Sequence, residues 1–442
     1  HLLGGEMRKA TAEAPLSPLW QDIYGFFDEN SQWQKHLSLL KQGIGKTAKP
    51  ERLSPKTAKA LYGKNIFSSV SRLERFAGCP FSFFAEYGLK AEERRLYQLN
   101  TPDLGSLFHE VLELFSNKLE QDSLPWTSLT KEETTARIHA AVEDAAPRLG
   151  NRILLDSAAN QYLIRRLKRI STRAAWTLVQ HLQQGDFVPA GYEVGFGAHE
   201  ALPPIVIRLQ DGGSLILNGK IDRVDLLDAN GTRYVKIIDY KSGNKTFHFQ
   251  DIYYGLQLQL LVYLDAYLKY YKKTGASFKP GGVFYFRITD PTLALDEELS
   301  AETIEKILYE KMRMSGLLLQ EDVLIHGLDH SLAESRSSAI VPVGYTKKGD
   351  PTAASNLATE EQYAAILDFV ATRTQELGDA MKAGIITPAP YRDGQRTPCS
   401  YCSYRSLCRH SYGEAPRWRK LKKIDKADFW ESITPKQPPE TE

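Results

Sequence analysis

The chain has 442 residues, of which 42% are hydrophobic, 25% charged and 10% aromatic, enough for two or three domains or one large one with attachments. Its 56 basic and 54 acidic side chains leave a net charge of only +2, so any nucleic-acid surface must come from local clustering. No run of eighteen apolar residues is present to span a membrane, and the start, His1-Leu2-Leu3-Gly4-Gly5-Glu6, lacks both a signal-peptide pattern and an initiator Met. With only four cysteines, a reducing cytoplasm is the expected location, and the chain is expected to be the C-terminal piece of a longer polypeptide.

Residues 1–64 read as a connector from an upstream region. They hold a helical stretch, Leu19 to Leu40, then a link rich in Gly, Lys and Pro. Gly45-Lys46-Thr47 resembles the end of a phosphate-binding loop, but Leu40 stands where the first Gly belongs, and Pro50 and Pro55 interrupt any following helix. Helices are expected over Ser68–Phe84, Asp103–Leu119, 131–147 and 157–183. Strands follow at Ala190–Gly197, Ile205–Leu209, Ser214–Leu227, Tyr234–Tyr240 and Gly282–Ile288, with Asp228-Ala229-Asn230-Gly231 as a tight hairpin turn. A helix is expected over Tyr254–Tyr271, between the fourth and fifth strands, and others over 300–318 and 359–384. Two basic clusters stand out: Arg165, Arg166, Lys168, Arg169 and Arg173, and then Arg417, Arg419, Lys420, Lys422 and Lys423. Each reads equally well as a solvated surface or as a contact for phosphates.

The chemistry concentrates in two segments, Gly219-Lys220-Ile221-Asp222-Arg223-Val224-Asp225 and Ile238-Asp239-Tyr240-Lys241-Ser242-Gly243. Strand side chains two apart share a face, so Asp239 and Lys241 point one way and Tyr240 the other. The hairpin brings Asp222 to them. Two close carboxylates repel unless a cation lies between them, and Mg²⁺ prefers such oxygen ligands. An isolated Asp-x-Lys is more often a surface ion pair. Here it ends an apolar strand and faces an Asp on the hairpin partner. Gln259 and Tyr263 share a face of the next helix. His109 lies one turn after Gly105, and Glu193 sits on an edge of the same sheet as a further acidic ligand.

In this order, Gly-x-x-x-His, the Glu of a first strand, Gly-x-x-Asp-Arg-x-Asp, Asp-Tyr-Lys-Ser-Gly and Gln-x-x-x-Tyr resemble the RecB-type branch of the PD-(D/E)XK nucleases over residues 66–410. The resemblance implies a restriction-endonuclease-like α/β core, a mixed sheet flanked by helices, with helical additions and a C-terminal iron–sulfur loop. It implies metal ligation by His109, Asp222, Asp239 and the Tyr240 carbonyl, and catalysis by Lys241, with Gln259 and Tyr263 near the DNA. Ile221-Asp222 stands where the family name has Pro-Asp.

Cys399, Cys402 and Cys408 form Cys-x₂-Cys-x₅-Cys, and Cys79 lies 320 residues before the first of them. Such a set selects a soft metal or a cluster. Zinc with four thiolates is one reading and a [4Fe–4S] cluster the other; no His stands at zinc-finger spacing. One Cys before the nuclease and three after it resembles the B subunits of AddAB-type helicase–nucleases. That likeness implies a structural [4Fe–4S] staple over a nuclease domain at 65–414, followed by a basic tail at 415–442. It also implies an A subunit as partner, action on the 5′-ended strand of DNA double-strand breaks, and ATP binding only in the complete polypeptide. A silent DNA-binding subunit with a degenerate nuclease fold is the alternative.

Overall fold

The structure, a computed structural model, describes residues 16–44, 52–92, 101–148, 158–293, 299–408 and 418–434. Two compact units divide the chain: His1–Gly63, Gly78–Glu93 and Ala380–Lys422 make one, while Lys64–Ala77, Arg94–Asp379 and Lys423–Glu442 make the other.

The larger unit begins with strand β1 (Asn65–Ser68) and helix α1 (Val70–Gly78). Three long helices follow: α2 (Thr101–Gln121), α3 (Lys131–Ala145) and α4 (Ala158–Gln183). Thr130 and Glu133 close a reciprocal cap at the start of α3, satisfying two otherwise free amides. Strands β2 (Val188–Phe196), β3 (Ile205–Arg208), β4 (Ser214–Leu217), β5 (Gly219–Ala229) and β6 (Thr232–Lys241) come next. Then come α5 (Gln259–Lys273), β7 (Phe278–Arg287), α6 (Ala301–Lys311), β8 (Ser315–Leu319), β9 (Leu357–Ala358) and α7 (Glu360–Lys382).

The main sheet runs β2-β5-β6-β7-β8-β9. β2, β5 and β6 are antiparallel neighbours, and β7 lies parallel to β6 after the α5 crossover. A parallel neighbour needs such a crossover, because a tight turn cannot reverse the chain twice. Asn230 and Gly231 both take positive φ, 51° and 75°, which gives the β5–β6 turn the twist a two-residue hairpin needs. Strand β6 is buried from Tyr234 to Tyr240, so both faces are covered. Trp126, between α2 and α3, lies under the Arg223 face, and α5 packs against β6 and β7. This is a mixed sheet flanked by helices.

Five sequence expectations change. The helix expected over Ser68–Phe84 starts at Val70 and ends at Gly78, with Cys79 extended before the separate turn Pro80–Phe83. The strand expected over Ser214–Leu227 breaks at Asn218, whose amide donates to Ser68 O at 3.1 Å. Its first half joins a separate sheet ordered β1-β4-β3, and only its second half enters the main sheet. The helix expected from Tyr254 starts at Gln259, because Gly255 at φ +74° ends a short helix, Phe249–Tyr253, before it. The helix expected over 300–318 stops at Lys311, and Ser315–Leu319 pairs as β8 between β7 and β9. A short apolar run buried on both faces has no period that separates strand from helix. In the smaller unit, Leu19–Leu40 is two helices, Pro18–Glu29 and Ser31–Ile44, with Asn30 extended between them. Gly45-Lys46-Thr47 lies outside the described residues.

The smaller unit also holds helix Pro55–Tyr62, capped by Ser54, and Cys79 at the start of the turn Pro80–Phe83. Tyr391–Arg392 pairs in parallel with Arg419–Lys420. A turn, Pro398–Tyr401, carries Cys399 and is closed by Cys402, and a helix, Arg405–Cys408, ends on Cys408. The Tyr404 hydroxyl donates to Ala91 O at 2.9 Å and holds this segment to the one that follows Cys79.

Candidate active site

The β5–β6 ladder pairs Arg223 with Ile238, which puts Asp222 opposite Asp239 one step further on. There the strands part. Asp222 Oδ2 accepts the Tyr240 amide at 2.5 Å in place of a ladder bond. Both carboxylates are buried, at 8% and 3% exposure. Asp239 Oδ2 lies 2.5 Å from Lys241 Nζ, and the two form an ion pair. Burial, with Asp222 second, pushes the Asp239 carboxyl up to about 6, despite Lys241. Burial alone would lower the Lys241 pKa, but Asp239 and Asp222 keep it above the ordinary value, so the ammonium stays charged. Its Nζ also donates to Gln259 Oε1 at 3.3 Å.

Helix α2 brings His109 to this point. Its Nδ1 is 3.4 Å from Asp222 Oδ2. Gly105, one turn earlier, faces Ser242: a β-carbon there would lie 3.0 Å from the Ser242 hydroxyl. The missing side chain lets α2 approach the segment just after Lys241. Glu193 lies next to the Tyr192–Arg223 pair of the β2–β5 register and takes φ +46°, a strained value for a non-glycine residue inside a strand. Burial, then Asp222 and Glu113, raise its carboxyl to about 7. His109, Glu193 and Asp222 each offer a ligand atom within 4.8 Å of the others. A cavity of about 700 Å³ opens beside them, lined by Gly105, Ser106, His109, Glu113, Glu193 and Ser242.

Tyr263 crosses the start of β5. It stacks on Phe196 at 5.6 Å, and the Gln259 side chain lies against its hydroxyl. Gly219 makes room for it, since a β-carbon there would collide with the Tyr263 hydroxyl. Gly219→Ala is therefore expected to displace the ring from beside the carboxylates and slow any reaction carried out there by roughly 10²-fold, the scale of a 1 Å misplacement. Single-turnover rates with circular dichroism as the folding control measure this; an unaltered rate would show that the position of Tyr263 is not used.

Glu74 is a member of the site that sequence reasoning missed. Its Oε1 accepts the Leu258 and Gln259 amides at 2.8 and 3.0 Å, and its Oε2 meets Lys245 Nζ at 3.1 Å. A carboxylate there caps the start of α5, where amides lack intrahelical partners, and so fixes Gln259. No local signal marks a cap that comes from 184 residues away.

Strand alternation sends Arg223 and Asp225 to the other face. Arg223 bonds Asp225 through Nε and Nη2 at 2.6 and 2.9 Å, and Lys236 Nζ adds a contact at 2.9 Å. Burial alone would raise the Asp225 carboxyl, but Arg223 and Lys236 outweigh it and hold the group below the ordinary range. Removing one member of such a buried set strands the others' charges, so this triad supports the sheet under the site. In the first basic cluster, Lys168 pairs with Glu143, while Arg169 and Arg173 both reach Asp290; these three are surface ion pairs. Arg417 lies outside the described residues.

The four cysteines are free thiols in the smaller unit. Cys79 is buried, which raises its thiol pKa, and the Ser82, Ala389 and Phe81 amides lie against the sulfur. Cys399 is close enough to repel Cys79, and burial first, then Cys402 and Cys408, raise the Cys399 thiol in turn. Cys399 thus lies within electrostatic reach of the other three thiols, although no three of the four sulfurs come within common ligand distance of one another; the residue types suit a soft metal or cluster.

A mixed sheet with facing aspartates, one lysine two residues on, and flanking helices defines a class of phosphodiester-cutting folds. The chain belongs to the PD-(D/E)XK nuclease superfamily, whose family model matches residues 68–409. Residues 1–43 match the fifth domain of the ATP-dependent helicase/deoxyribonuclease AddB. The chain is 40% identical over 430 residues to the B subunit of the ATP-dependent helicase/deoxyribonuclease of Alkaliphilus oremlandii, covering 97% of this chain and 37% of that one. It is 41% identical to the corresponding protein of Alkaliphilus metalliredigens, covering 91% and 35%, and 35% identical to that of Thermoanaerobacter sp., covering 95% and 36%. The chain thus spans a little over a third of the length of these relatives.

Proposed function

We propose that this chain carries the Mg²⁺-dependent DNA exonuclease site of a heterodimeric helicase–nuclease that resects double-strand breaks for recombinational repair. The observation that carries it is the pair of buried, facing carboxylates with a charged lysine against one of them. The relatives, named as B subunits of an ATP-dependent helicase/deoxyribonuclease, support the larger assembly. In this reading the A subunit is the partner, ATP serves the complete polypeptide, the complex is cytoplasmic, and the strand cut here is the 5′-ended one. A [4Fe–4S] cluster on Cys79, Cys399, Cys402 and Cys408 holds the ends of the domain.

The donor set fits a hard divalent cation. His109, Glu193 and Asp222 gather oxygen and imidazole ligand atoms, with Asp239 facing Asp222 across the strands. Burial first, and Asp222 after it, raise the Asp239 and Glu193 carboxyls, and a cation bound there would offset both effects. With the Tyr240 carbonyl they would hold Mg²⁺. The ion, when bound, supplies Lewis-acid polarisation of a phosphodiester and makes water a nucleophile near neutral pH. Asp222 and Asp239 fix the position of that chemistry at the end of the ladder. Lys241 keeps a proton and places its charge where the pentavalent phosphorus builds negative charge. Gln259, held by Glu74, orients the Lys241 ammonium.

Lys241→Ala is expected to lower the cleavage rate by the equivalent of about 3–4 kcal/mol, as for loss of one preorganised charge, while Mg²⁺ binding persists. Rate constants on end-labelled duplex DNA, beside a metal titration, test this. An unchanged rate would show Lys241 to be a surface residue. Absence of Mg²⁺-dependent cleavage by the wild type in its complete complex would reject the nuclease reading.

A further inference from the structure

Arg287 ends β7 and pairs with Lys241 in the parallel register. Paired positions on adjacent strands project to the same face, with the strands about 4.8 Å apart. The guanidinium therefore leaves the sheet on the side that carries Asp239 and Lys241. The Ile288 amide donates to the Lys241 carbonyl at 2.9 Å and fixes the two strand ends together. Arg287 Nη2 donates to Asn244 Oδ1 at 2.6 Å, in the loop that follows Lys241. Its Nε is buried and has no hydrogen-bond acceptor.

Two other cations nearby are already engaged: Lys241 with Asp239, and Lys245 with Glu74. Among the described residues no carboxylate pairs with Arg287. A buried donor with no acceptor is costly, and native proteins rarely leave one. A planar guanidinium beside a phosphate-directed lysine matches the two non-bridging oxygens of a phosphate.

We propose that Arg287 binds a backbone phosphate of the strand being cut, next to the scissile one, and so sets the substrate's register over Lys241. This rests on the nuclease reading of the site. Asn244 is the residue that holds the guanidinium ready for it.

The test uses the full-length protein in its purified complex, with fluorescein-labelled DNA bearing a single-stranded end. Binding is read by anisotropy in Ca²⁺ across a salt series, and cleavage in Mg²⁺. Arg287→Gln is expected to weaken binding about tenfold and to reduce the slope of log K against log salt by about one. KM should rise more than kcat falls, Arg287→Lys should recover part of the loss, and the melting temperature should not move. Methylphosphonates placed at single positions remove one phosphate charge at a time. One position should weaken wild-type binding and leave Arg287→Gln unaffected. Equal salt slopes and equal KM, or the same methylphosphonate profile in both proteins, would overturn the proposal. The nuclease reading fails separately: cleavage by Asp239→Ala at the wild-type rate rejects it, whereas the binding measurements judge Arg287 whether or not the strand is cut.

Discussion

Asp239→Ala should abolish cleavage, a loss on the order of 10³-fold or more if the several kcal/mol supplied by a bound cation disappear. Stability should move the other way. Burial and the facing Asp222 raise the Asp239 carboxyl to about 6, so its ionised form costs the native state free energy. That cost is present in full above the folded pKa and fades as pH falls through it and the group takes up its proton. In EDTA at pH 8 the variant is therefore expected to melt no lower than wild type, and the difference should narrow toward pH 5. Mg²⁺ should raise the melting temperature of wild type much more than that of the variant, because a ligand stabilises only the state that binds it. Retained nuclease activity, or equal stabilisation by Mg²⁺, would remove Asp239 from the metal site.

Cys408→Ser should lose iron and become sensitive to protease across residues 66–410. Cys79 and Cys399 are 320 residues apart, and a link between such points restricts the unfolded chain by an amount on the order of 5 kcal/mol in the cross-link relation. Cluster binding is folding free energy in the same sense. The comparison is limited proteolysis of Cys408→Ser, Asp239→Ala and wild type after anaerobic purification, with iron and zinc analysis. Only Cys408→Ser should change its cleavage pattern and bind DNA ends poorly. If it lost iron and still resisted protease and bound DNA as wild type does, a redox or sensing role would replace the staple. One zinc and no iron in wild type made with ample iron would replace the cluster itself.

The parts of the site that lie close in sequence were legible from strand alternation alone. Asp239, Tyr240 and Lys241 alternate between faces, and Asn230-Gly231 announces the turn that returns Asp222 to them. What stayed hidden depends on distant chain. Ser214 to Leu227 keeps a strand-like pattern straight through Asn218, and nothing local shows that the chain changes sheets there. At β8, Leu317, Leu318 and Leu319 are buried in succession, so the strand carries no alternation to read. Glu74 caps α5 across 184 residues, and Arg287 meets Lys241 only through the parallel crossover.

The hairpin turn limits which sequences this fold tolerates. Surface turns ordinarily absorb insertions, and Asn230-Gly231 lies about 26 Å from Asp222 by strand rise. Yet the turn counts out the ladder. An added residue must either bulge where it enters or slip β5 by one position against β6. A one-residue slip exchanges the two faces of a strand. It would carry the Asp222 carboxylate into the helix layer and the Arg223 guanidinium out toward Asp239 and Lys241, leaving Asp225 and Lys236 without their partner. Length variation among homologous chains should therefore be rare in this exposed turn, and where it occurs a compensating bulge should stand between the turn and the aspartates.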